Sequence, residues 1–211
     1  MATPFGHISV RVPGTDTFLI TRSVAPGVAV TGDIVTCDLH GKVLEGKYKS
    51  TYAEVVIHTG VYKKRKDVNS VIHSHAPYSI VLSMADFTVV PTDIFSITNG
   101  PEPVAVFQKR VLIDTPELGE EVADLLGPNK TVILKGHGAV IVGKSMEDAI
   151  FAAHHLETSA MLQYMARSIG NLSPLTDEEK QALLQFQRWA AARPGMAAER
   201  EWEYYASLLK K

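Results

Sequence analysis

The chain is short of cysteine, of net charge and of long apolar runs, and each shortage removes a class of explanation. Cys37 is the only cysteine among 211 residues. No intrachain disulfide can form, and a reducing, cytoplasmic setting is the expectation. The formal net charge of −2 favours neither a nucleic-acid-binding face nor a polybasic membrane patch. The basic run Lys63-Lys64-Arg65-Lys66 reads as the exposed end of a helix. No apolar stretch approaches the ~20 residues of a transmembrane helix. Residues 1–6 have neither the basic nor the apolar segment of a signal peptide. What remains, 45% apolar and 21% charged, suits one α/β domain over residues 1–211. The expected partner is a small-molecule substrate, with no nucleic acid and no membrane.

The first fifty residues predict short strands. Ile8–Val12 alternates, Pro13-Gly14-Thr15-Asp16 turns, and Phe18–Thr21 returns. Two further strands flank a tight turn at His40-Gly41. Thr51 and Glu54 have the spacing of a capping box and predict a helix there. Val68–His75 reads as a strand, and Ala76-Pro77 opens a helix. Strands at 131–134 and 139–142 flank Gly136-His137-Gly138. A capping box at Ser145–Asp148 opens a long helix to about Ser168, and helices near 177–192 and 197–209 close the chain. Strands and helices mix without strict βαβ alternation. The expected fold is an α/β layered domain with a largely antiparallel or mixed sheet.

Histidine supplies the candidate chemistry. In Val71-Ile72-His73-Ser74-His75, residues two apart on a strand face the same way. His73 and His75 are then a pair of imidazoles suited to zinc or its neighbours, or two polar side chains satisfied by backbone. His154 and His155 lie on the long helix, roughly 100° apart around its axis, so only one points inward. His154 falls between Ile150, Leu156 and Met161 and is read as the inward one. Glu54 is either a helix cap or a general base beside a metal. His137 is either a turn residue or a substrate contact.

Taken together these pieces resemble a family. Glu54-Val-Val-Ile-His58, His73-Ser-His75-Ala-Pro77, Gly136-His137-Gly138 and Asp148-Ala-Ile-Phe-Ala-Ala-His154-His-Leu-Glu157 look like the class II aldolase/adducin family, from about Gly6 to Tyr164. The resemblance implies a single α/β/α domain with a central, mainly antiparallel sheet. It implies a divalent metal, zinc foremost with manganese or cobalt as alternatives, on His73, His75 and His154, with Glu54 as the acid/base. It also implies a homo-oligomer, a C4 tetramer. C-terminal aromatics such as Trp202, Tyr204 and Tyr205 are then candidates to reach a neighbour's site.

Departures from the family's sugar-phosphate members bear on the substrate. Where those carry Gly-Asn, Thr-Gly and Ser-Ser around the phosphate, this chain has Gly6-His7, Ser23-Val24 and Tyr52-Ala53. Val24 replaces a glycine that allows close backbone approach, and two hydroxyl donors are lost at 52–53. The Gly6-His7 form looks more like the branch of hydroxyaromatic-acid decarboxylases. His7, Arg22, Tyr52 and His137 are the expected substrate contacts, with Arg22 offering a fork for a carboxylate and Tyr52 a flat face. The implied activity is a metal-dependent carbon–carbon lyase working through a metal-stabilised enolate, foremost a decarboxylase of a small non-phosphorylated hydroxy acid. The alternatives are an aldolase for a non-phosphorylated hydroxy-carbonyl compound and a non-catalytic adducin-like module.

Overall fold

The structure, a computed structural model, describes residues 4–193 and 197–208. Its strands are β1 (His7–Arg11), β2 (Thr17–Thr21), β3 (Ile34–Asp38), β4 (Val43–Glu45), β5 (Ser70–Ser74), β6 (Ala105–Phe107), β7 (Thr131–Leu134) and β8 (Gly138–Gly143). Its α-helices are α1 (Val55–Lys64), α2 (Pro77–Met84), α3 (Pro116–Leu126), α4 (Met146–Ile169), α5 (Asp177–Ala191) and α6 (Ala197–Leu208). Residue 209, the expected end of the last helix, lies outside the described residues. No described helix is long and apolar enough to cross a membrane.

The strands form one eight-stranded sheet in the order β4-β3-β2-β1-β5-β8-β7-β6. Neighbours run antiparallel except the β6–β7 pair, which is parallel. The period of two along the central strands divides the apolar side chains between the faces. On β8, Val140 and Val142 enter one core while Ala139 and Ile141 enter the other. On β7, Val132 and Leu134 part from Ile133 in the same way. The first core is completed by Ile57, Val61 and Tyr62 of α1 and by Val122 and Leu126 of α3. The second is completed by Leu82 of α2 and by Leu156 and Ala160 of α4. The sheet is thus covered on both faces, which makes the α/β/α sandwich that the sequence predicts.

Two features place the start of α1 over the centre of the sheet. The helix packs against α3 at a point where neither has a side chain. A Cβ on Gly60 would lie 2.4 Å from the Gly119 carbonyl oxygen, and one on Gly119 would lie 2.3 Å from that of Val56. The expected capping box does not form. The helix starts at Val55, and the Glu54 side chain makes no capping hydrogen bond. The Thr51 hydroxyl instead donates to the Thr21 carbonyl at 2.7 Å, tying the segment before α1 to the end of β2. That frees the Glu54 carboxylate to turn toward the sheet.

Candidate metal centre

In register, His7 of β1 sits opposite His73 of β5, and His73 sits opposite Val140 of β8. His73 shares the strand face of Val71, so its ring lies on the α1/α3 side of the sheet. Its Nδ1–H donates to the Ala139 carbonyl at 3.1 Å. This bond fixes the tautomer and leaves the Nε2 lone pair pointing away from the sheet. His75, just past the strand, brings its Nε2 within 2.9 Å of that atom.

The third imidazole comes from the turn between β7 and β8. Gly136 there has φ +68°, a left-handed conformation that glycine adopts without steric cost. A Cβ on Gly138 would lie 2.1 Å from the Ser74 carbonyl oxygen and 3.3 Å from the His73 ring. Glycine at 138 therefore lets the turn close down on the end of β5. His137 between them stands 5.0 Å, centroid to centroid, from His75 and 4.9 Å from His73.

Glu54 completes the group. Its carboxylate lies 3.5 Å from His73 Nε2 and 3.4 Å from His137 Nε2, and it accepts the Ile113 N–H at 3.3 Å. Burial alone would raise this carboxyl. The imidazoles of His137 and His73 beside it outweigh burial and hold it well below the ordinary carboxylate range. Burial, reinforced by His73 and His137, brings His75 down to about 4. A neutral imidazole and an ionised carboxylate are the forms that bind metal.

The donor set fits a divalent cation. One ligand atom from each of Glu54, His73, His75 and His137 falls within 4.8 Å of the others. Metal–ligand bonds of about 2.0–2.1 Å in a tetrahedron place ligand atoms roughly 3.3 Å apart, and the nearest separations here are 2.9, 3.4 and 3.5 Å. A cavity of about 640 Å³ opens beside the group, bordered by His7, His73 and His75 and walled by apolar side chains that include Phe5, Ile72, Ile150 and Met161.

His154, expected as the third ligand, is not brought into this group. It lies on α4, which packs on the opposite face of the sheet. The buried stripe of α4 includes Ala149, Ala152, Leu156, Ala160 and Gln163, and position 154 is turned roughly 160° from Leu156. His154 borders the cavity from the far side, its ring against Tyr205 at 5.0 Å. His155 is the more buried of the two, bonded to Thr98 and to Glu201 at 2.9 and 3.0 Å. Tyr205, a candidate to reach a neighbouring subunit, here covers His154 of its own chain.

The other expected substrate contacts divide. His7 borders the cavity, with the Tyr52 ring 4.3 Å away. The Tyr52 hydroxyl is engaged, donating to the Val24 carbonyl at 2.8 Å. Arg22 is not the open fork expected: its Nε donates to Asp33 at 2.7 Å, and its guanidinium lies over the Tyr48 ring at 4.7 Å. His58, the last residue of the Glu54–His58 motif, is fully buried and lies 2.7 Å from both His7 Nδ1 and Ser9 Oγ. Its position one helical turn after Glu54 was the available signal, since i and i+4 share a helix face.

Residues 1–164 match the model of the Class II Aldolase and Adducin N-terminal domain. The chain is 30% identical over 188 residues to 3,4-dihydroxyphthalate decarboxylase of Arthrobacter keyseri, covering 82% of this chain and 75% of that protein. It is 32% identical over 185 residues to the L-fuculose phosphate aldolase of Escherichia coli K12, covering 85% and 81%. A solved aldolase II superfamily protein from Pseudomonas syringae superposes with a TM-score of 0.82 at 26% identity, over 98% of this chain and 84% of that one. The chain belongs to the class II aldolase/adducin family, among whose members it resembles both a decarboxylase and an aldolase.

Proposed function

We propose that the chain is a divalent-metal-dependent carbon–carbon lyase and, within that class, a decarboxylase of a small, non-phosphorylated hydroxy aromatic or heteroaromatic acid. The observation that carries this reading is the convergence of Glu54, His73, His75 and His137 beside the cavity. His73, His75 and His137 would hold the cation, zinc foremost, with Glu54 ligating or flanking it. A bound cation supplies Lewis acidity toward substrate oxygens.

Cleaving the carbon–carbon bond leaves an electron pair that must spread into an adjacent carbonyl or ring. Glu54, ionised at rest, takes the proton of a substrate hydroxyl and returns it to the carbon that carbon dioxide has left. His7 and the apolar walls border space for a flat ring. No lysine or arginine is among the described residues that border the cavity, which favours a substrate without a phosphate. Arg22, spent on Asp33, has no part in this reading. The assembly is read as a cytoplasmic homotetramer.

The likeness to the fuculose phosphate aldolase favours a second reading, an aldolase for a non-phosphorylated hydroxy-carbonyl compound. The test supplies zinc or manganese and a panel of hydroxybenzoates, hydroxypyridine carboxylates and 4-hydroxy-2-oxoacids, following carbon dioxide and aldehyde separately. Carbon dioxide from the aromatic acids is expected. Aldehyde alone would shift the assignment to an aldolase. No product and no metal affinity would leave the non-catalytic module. Glu54→Gln should retain the metal and slow turnover by about 10²–10⁴-fold; a variant that loses only thermal stability would return Glu54 to a structural role.

A further inference from the structure

A chain of buried polar groups runs inward from the cavity. His7 Nδ1 lies 2.7 Å from His58 Nε2, His58 Nδ1 lies 2.7 Å from Ser9 Oγ, and Ser9 Oγ lies 2.8 Å from the Tyr62 hydroxyl. His58 and Tyr62 are fully buried, and Ser9 is nearly so. The first link joins β1 to α1 at the point where His7 meets the cavity, and the last lies beneath the Arg11 guanidinium, 4.5 Å from the Tyr62 ring centroid. The ends of the chain set the direction in which its protons point.

A buried hydroxyl proton needs an acceptor. Among the described hydrogen bonds, Ser9 is the one partner of the Tyr62 hydroxyl. The Tyr62 proton therefore goes to Ser9 Oγ. The Ser9 proton must then go to His58 Nδ1. His58, accepting at Nδ1, carries its proton on Nε2 and donates it to His7 Nδ1. His7, accepting at Nδ1, then has its own proton on Nε2, the nitrogen left for the cavity.

We propose that the Tyr62–Ser9–His58 chain fixes His7 as a hydrogen-bond donor to the cavity, aimed at an anionic or electron-rich oxygen of the substrate, with His58 as its positioning residue. The inference rests on the proposed lyase reading for the substrate and on the hydrogen-bond chain alone for the tautomer. It separates the roles around the site. Glu54 is the group that takes and returns a proton, and His7 is an N–H that stabilises charge on oxygen without surrendering its proton. It also narrows the ligand class, because a fixed N–H donor discriminates for a carboxylate or phenolate oxygen and against a group that must itself donate.

The test is the tautomer of His7 in zinc-loaded protein, read from long-range ¹H–¹⁵N correlations of the imidazole rings at neutral pH. Signals are assigned by their loss in His7→Gln and His58→Leu. Wild-type protein should show His7 and His58 both protonated on Nε2. In His58→Leu, His7 should populate both tautomers, and salicylate, used as a hydroxy-acid probe, should bind more weakly than to wild type. A wild-type His7 protonated on Nδ1 would overturn the proposal, and that result needs no variant to fold. Nε2 protonation in a protein that fails to bind salicylate would support the hydrogen-bond chain and count against the proposed substrate class.

Discussion

Two histidine groups face each other across the end of the sheet, and they are built on different principles. His73, His75 and His137 come from a strand, its continuation and a glycine-flanked turn, and their nitrogens converge with the Glu54 carboxylate. His154 and His155 are neighbours on α4 and diverge: one turns to the cavity rim and Tyr205, the other to Thr98 and Glu201. The first group is held from several directions, by β5, by the β7–β8 turn and by the first residue before α1. The second is one short arc of a helix. Convergence of polar groups on a point takes backbone from several elements, whereas adjacent helical positions are fanned apart by the helix itself.

This difference can be broken most forcefully at His73. Its tautomer is set by Ala139 and it touches the other members of the group. Metal affinity of His73→Ala should therefore fall by more than the roughly 10–100-fold typical of losing a supporting partner. Isothermal titration with zinc, with circular dichroism to verify the fold, measures it. Zinc affinity equal to wild type would remove His73 from the site.

A smaller effect is expected from Gly138→Ala. A Cβ there would lie 2.1 Å from the Ser74 carbonyl, so the turn must shift. Overpacking of this kind costs about 1–3 kcal/mol, read as a lowered Tm, and the displaced His137 should weaken zinc binding as well. A variant as stable as wild type with unchanged zinc affinity would show that the close approach is not needed.

The smallest effect is a pH dependence, measured on protein stripped of metal by a chelator. Burial, with the charge of His73, holds His58 at about 3 against an ordinary value of 6.5. The unfolded chain therefore binds a proton that the folded chain refuses between those values. Stability is fully present above about pH 6.5 and is lost as pH falls toward about 3. His75, held at about 4, adds to the same slope. Denaturant melts of wild type and His58→Leu across this range should show a shallower slope in the variant; equal slopes would contradict the burial of a neutral His58.

Much of the fold was legible in the sequence because the patterns behind it are local. Alternation marked the strands, His40-Gly41 the hairpin, and Ser145 and Pro77 the helix starts. The pairing of His73 with His75 followed from the period of two. The third imidazole of the group did not follow, because it depends on which face of the sheet a helix covers. His154 looked central between Ile150, Leu156 and Met161, yet the stripe through Ala149, Ala152, Leu156 and Ala160 already turns it away. His137 had no periodic pattern to mark it. Its signal was the pair of glycines beside it, one for the turn and one for close contact with β5. At Glu54 the Thr51 spacing suggested a cap, whereas Thr51 bonds to Thr21 and the carboxylate turns instead to His73 and His137. His58 was overlooked because a buried histidine bonded only to other side chains has no sequence signature beyond its helical spacing from Glu54.

The central claim is that the metal is held from the β7–β8 turn and not from α4. Zinc content after dialysis, compared between His137→Ala and His154→Ala, tests it most directly. The account predicts that His137→Ala loses its bound zinc while His154→Ala retains the wild-type stoichiometry. Zinc lost from His154→Ala and kept by His137→Ala would contradict it.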